Sequence, residues 1–116
     1  MYTRILLASD GSKESLIALR EGALIARALH AQAMLLIIER ETPGLRVADS
    51  VYPTVRSEGS ETLLQRGLAR LGRLGVQATG EVVTGEPAPT IAAAARRFGA
   101  DLVVVGHRRQ TLLERW

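Results

Sequence analysis

The chain contains no cysteine, only two histidines and one lysine, and four aromatic residues in 116 positions. Each scarcity excludes something. Without cysteine there are no disulfides and no thiolate metal sites, and a reducing compartment is compatible. Two histidines alone cannot build a structural zinc centre. With Tyr2, Tyr52, Phe98 and Trp116 as the whole aromatic complement, Leu, Ile, Val and Ala must form the core. Aromatic stacking platforms of the single-strand nucleic-acid binders are excluded. No apolar run approaches the ~20 residues that span a bilayer, so no membrane partner is predicted. The N-terminus passes from Met1 into an apolar segment with no charged leader, so no signal peptide is expected and a cytoplasmic protein is.

What is present is a short, apolar, arginine-rich chain. Hydrophobic residues make up 47% of it and the net charge is +3. Its length bounds it to one domain, residues 1–116. The arginines are scattered, paired only at Arg96-Arg97 and Arg108-Arg109, and no basic stripe predicts nucleic acid as a partner. Arg20, Arg27, Arg66, Arg70 and Arg73 read as solvated helix faces.

Apolar runs too continuous for half-exposed strands occur at 3–9, 32–38 and 101–106, and predict strands buried on both faces of a parallel sheet. The segment 76–85 alternates and predicts an edge strand. Between them, helical spacing appears at 13–30, where Leu16, Leu19, Ala23 and Ala26 form a stripe that Ile17, Leu24 and Ala28 widen. A second helix is predicted from Ser57 or Ser60, carrying Leu64, Leu68, Leu71 and Leu74 and stopping at Gly75, with Gly67 and Gly72 weakening it. Residues 39–56 read as a long loop. A third helix opens on the prolines of "EPAPT" and closes at Gly99, and a last one begins at "TLLERW". The alternation predicts an open, mostly parallel, doubly wound α/β sheet with helices on both faces. The final helix leads to no further strand, so either the chain is trimmed or an edge beside the fourth strand is open to a second subunit.

Ligands of such sheets bind beyond the carboxyl ends of the strands, where the winding reverses. Here those ends carry Ala8, Ser9 and Asp10; Ile38 and Glu39; Thr84 and Gly85; Gly106 and His107. Several catalytic readings fail on sequence. There is no phosphate-cradling G-x-x-x-x-G-K-[ST] loop and no G-x-G-x-x-G. The third strand ends in "VVTG", without the aspartate of a phosphoacceptor domain. Ser9, Asp10 and His107 cannot form a hydrolase triad comfortably, because adjacent residues would have to serve opposite sides of one imidazole. In "ASDGSKES", Asp10 repels phosphate rather than cradling it. Asp10 therefore has two competing roles, helix N-cap or contact to the sugar and base of a nucleotide. Gly106 reads as a point of close ligand approach, and Arg108 and Arg109 as phosphate contacts or solvated surface.

Three blocks, in this order and spacing, resemble the universal stress proteins: "YTRILLASDGSKES", "MLLIIE" and "GEPAPTIAAAARRFGADLVVVGHRR". The resemblance implies a sheet ordered 3-2-1-4-5, with the fifth strand missing from this chain, and a homodimer. It implies a non-catalytic stress-response protein in which some members bind ATP. Ala8, Ser9, Asp10 and Ile38 would then hold the adenosine end. The phosphate loop, patterned G-x-x-G-x9-G-[ST] in the binders, would start at Gly106 and run through His107 and Arg108. Arg109 stands where the second glycine belongs, and the closing Gly-Ser is absent. An adenine nucleotide such as ATP or AMP, with Mg accompanying it, is the expected ligand; no tightly held cofactor, resident metal or catalytic residue is predicted. A slow nucleotide hydrolase in the same pocket, and a ligand-free dimeric interaction module, are the competing readings.

Overall fold

A computed structural model of the chain describes residues 2–10, 13–40 and 53–106, with only the backbone of 13, 14, 16 and 53–58. The elements are β1 (Arg4–Ser9), α1 (Lys13–Leu29), β2 (Gln32–Glu39), α2 (Pro53–Arg73), β3 (Ala78–Thr84), α3 (Pro87–Phe98) and β4 (Leu102–Gly106). The strands form one parallel sheet in the order β3-β2-β1-β4. The expected helix at 111–116, the loop at 41–52, and Gly11, Ser12, His107, Arg108, Arg109 and Trp116 lie outside the described residues.

The period of two in each strand divides the core. Ile5, Leu7, Leu35 and Ile37 face α1 and α2, with Leu19, Ala23, Ala26, Leu64 and Leu71 from those helices. Leu6, Ala8, Leu36 and Ile38 face the other way, toward α3 and its buried Ala94. Small residues let the first layer close tightly. A side chain at Gly22 would lie 2.8 Å from Leu7 Cδ2 and 3.0 Å from Val104 Cγ1. Gly67 similarly admits Leu35, and Gly80 admits Leu64.

The ends of the elements follow local chemistry. Pro87 opens α3 after Glu86, and Gly99 closes it in the left-handed conformation at φ 74°, its N–H reaching the carbonyls of Ala95 and Arg96. At the amino edge of the sheet, Asp101 clamps β4 to the start of β1. Its carboxylate accepts from the Thr3 N–H at 3.0 Å, the Arg4 N–H at 3.1 Å and the Thr3 hydroxyl at 3.2 Å. These bonds, the Thr3 N–H foremost, hold the Asp101 carboxyl below its ordinary pKa. The Arg4 guanidinium donates to the Phe98 carbonyl at 2.8 Å and lies over its ring, so α3 is fastened to β1 as well. Arg97 and Glu81 pair between α3 and β3.

Three expectations need correction. β4 is not buried on both faces: Leu102 to Val105 are half-buried, because β4 is an edge of the described sheet. Ile17, Leu24 and Ala28 do not widen the buried stripe of α1; Ile17 is 71% and Leu24 38% exposed, and Ala28 is exposed too. They project opposite the Leu19–Ala23–Ala26 stripe, since 100° per residue turns 17, 24 and 28 to the far side of the helix. Finally, α2 begins at Pro53 rather than at Ser57 or Ser60. Proline is favoured in a first turn because its missing N–H has no partner to lose there.

Candidate functional site

The order β3-β2-β1-β4 reverses its direction of growth between β1 and β4, and α1 and α3 lie on opposite faces at that point. This is where an open α/β sheet leaves a crevice. The last residues of the two strands are register partners, Ser9 with Gly106, preceded by Ala8 with Val105. On the other side of β1, Ile38 pairs with Val83, and Glu39 with Thr84.

The side chains at this edge divide into buried and presented groups. Ala8 and Ile38 are buried in the α3-side core, so their side chains lie behind this edge rather than on it. Ser9 is buried too, and its Oγ shares a 2.6 Å hydrogen bond with Ser15 Oγ in the first turn of α1. Asp10, the residue after β1, is exposed. Glu39 accepts from the Thr84 hydroxyl at 3.3 Å, and its carbonyl accepts from the Gly85 N–H at 2.9 Å, which joins the ends of β2 and β3. Gly106 faces α1. A side chain there would strike the Ser15 carbonyl, with the Ser15 Cα and carbonyl carbon each 2.9 Å away. Helix docking alone thus requires glycine at 106.

The structure therefore brings Ala8, Ser9, Asp10, Ile38 and Gly106 to one edge, with Ala8 and Ser9 beside β4 and Ile38 across β1 from it. His107, Arg108 and Arg109 follow Gly106 in sequence, outside the described residues. Ser15 is the residue that sequence reasoning missed. The signal was available: it occupies the position four before Leu19 on the buried stripe of α1, where a serine needs a polar partner. Two carboxylates stand at the ends of adjacent strands here, Asp10 after β1 and Glu39 closing β2. Among the described residues, no cluster of His, Cys, Asp and Glu could hold a metal ion, and no helix is long and apolar enough to cross a membrane.

Known proteins share this architecture. A curated relative, universal stress protein YxiE of Bacillus subtilis, is 31% identical over 93% of this chain and 80% of its own length. The crystal structure of a universal stress protein family member from Burkholderia pseudomallei superposes with a TM-score of 0.79 and 30% identity, covering 98% of this chain and 86% of that one. A universal stress protein solved in complex with cAMP superposes at 0.70 with 24% identity, over 98% of this chain and 83% of that one. The model of the universal stress protein family matches residues 1–116, and the chain belongs to that family.

Proposed function

We propose that this universal stress protein is a non-catalytic, nucleotide-responsive binding protein that holds an adenine nucleotide at the carboxyl ends of β1 and β4. The observation that carries the reading is the reversal of strand order at β1 and β4 with exposed Asp10 beside it. The described residues suit the adenosine end of such a ligand. Ala8 and Ile38 place the strand ends that back the ligand, and the Asp10 carboxylate accepts from ribose hydroxyls or an adenine amino group. Ser9, tied to Ser15, fastens the strand end beside Asp10 to α1. The phosphates, and Mg with them, fall to the segment after Gly106, where His107, Arg108 and Arg109 offer charge-assisted contacts. The relative solved with cAMP supports an adenine nucleotide as the class.

The same reading makes the protein a cytoplasmic homodimer. The half-buried apolar residues of β4, at an edge of the described sheet, support a second copy as its cover.

Isothermal titration with ATP, AMP and cAMP tests the ligand. Binding is expected with all three, and Asp10→Ala should weaken each by about tenfold, the worth of a charge-assisted hydrogen bond. Absence of heat at millimolar nucleotide overturns the proposal. Sedimentation velocity across a concentration series tests the dimer, with a single monomeric species as the refuting result.

A further inference from the structure

A second concavity lies away from the strand ends, between α1 and α2, over the middle of the sheet. It encloses about 350 Å³, within the ~300–1,000 Å³ typical of small-molecule clefts. Its floor is apolar, made by Leu7 and Leu35 of the sheet and Leu19 of α1. Its rim holds four arginines: Arg20 from α1, and Arg66, Arg70 and Arg73 from α2. None of the four meets a carboxylate among the described residues.

That rim is not what folding alone would select. Arg70 and Arg73 lie in the last turn of α2, where cations complement the helix dipole. The dipole does not account for Arg66, a turn further back, or for Arg20 across the cleft. Arg66 and Arg70 are four apart, and Arg70 and Arg73 three apart, spacings at which like charges repel. Arginines that meet no carboxylate among the described residues, set around a concavity with an apolar floor, are complemented by a molecule with an apolar body and an anionic head.

We infer that this cleft binds a small amphipathic anion, an acyl or comparably apolar body whose carboxylate or phosphate is held by the arginine rim. The size favours a small molecule over a protein segment. Two turns of a docked helix, ~10 Å wide with a 5.4 Å pitch, would fill roughly 800 Å³. Arginine is the suitable rim residue, because its planar fork binds carboxylate and phosphate bidentately. The inference is independent of the nucleotide reading, which concerns residues at the strand ends.

The test uses dodecanoate and dodecyl phosphate below their micellar concentrations, with dodecanol as the uncharged control. Binding is followed by titration calorimetry and by amide shifts in two-dimensional NMR. Both anions should bind and shift Gly67, Ala69 and Arg70, with dodecanol about tenfold weaker. The double variant Arg66→Gln/Arg70→Gln, whose side chains are exposed, should weaken the anions about tenfold, the worth of two exposed charge contacts, and leave dodecanol unchanged. Ala69→Trp, on the exposed surface of α2 at the cleft, should abolish binding of all three probes while the spectrum stays folded. Saturating AMP should not compete. No binding of either anion, unchanged anion affinity in the double variant, or unimpaired binding in Ala69→Trp would each overturn the inference. So would capture of an acidic amphipathic peptide by the same residues without binding of the small anions, which would reassign the cleft to a protein partner.

Discussion

The two faces of the sheet are built on different plans. The face toward α1 and α2 is assembled by close approach: Gly22, Gly67, Gly80 and Gly106 each leave room for a particular neighbour, and the layer beneath is continuous from Ile5 to Val76. Among the described residues, the face toward α3 has a smaller core around Leu6, Leu36 and Ala94. Its helix is fastened by polar ties at the margins, Arg97 to Glu81 and Arg4 to the Phe98 carbonyl, while Asp101 secures the strand that follows. Where these glycines meet their neighbours, the first plan leaves little room for added volume. The second can settle, because among the described residues α3 alone covers it, whereas α1 and α2 together span all four strands on the other face.

The largest test of that contrast compares neighbours on β2. Leu35 and Leu36 are both buried, on opposite faces. Leu35→Ala should cost about 4 kcal/mol and Leu36→Ala about 2–3 kcal/mol, because the penalty depends on how far the surroundings collapse into the cavity. Denaturant melts give both values; equal losses would erase the distinction between the faces. Glycine substitutions come next. Gly106→Ala should cost about 2 kcal/mol, since its obstacle is the Ser15 backbone rather than a side chain that can turn away. Gly72→Ala, with open space at its position, should instead stabilise by about 0.5 kcal/mol through helix propensity.

The smallest effect concerns the α3-side fastenings. The folded-state pKa of Asp101 is lowered, so its contribution is present above the unfolded-state pKa and lost as pH falls through the folded one. Asp101→Asn should therefore lower Tm at neutral pH, and the gap to wild type should close in acid. A gap that persists at pH 2 would mean that packing, not the carboxylate, holds this corner.

The architecture was legible in the sequence because it rests on local periodicity. The continuous runs "RILLAS" and "AMLLII" announce strands covered on both sides, and Gly99 announces the end of a helix. What resisted reading were relations between distant residues. The "LVVV" of β4 looks as deeply buried as β1, and its half-burial follows from its place at the edge of the described sheet. Ile17 and Leu24 are hydrophobic by composition but lie opposite the buried stripe. At the candidate site, position along the strands grouped Ala8, Ser9, Ile38 and Gly106 at one edge of the sheet, while the polar partner that Ser15 needs could not be named as Ser9 from local pattern. The cleft between α1 and α2 was invisible for the same reason: Arg20 and Arg66 are 46 positions apart, and each read as ordinary helix surface.

Gly106 carries a consequence for how relatives of this chain are told apart. Its missing side chain makes room for the first turn of α1, a need that exists with or without any bound phosphate. A glycine at this strand end is thus a signature of scaffold assembly, shared in principle by binders and non-binders alike.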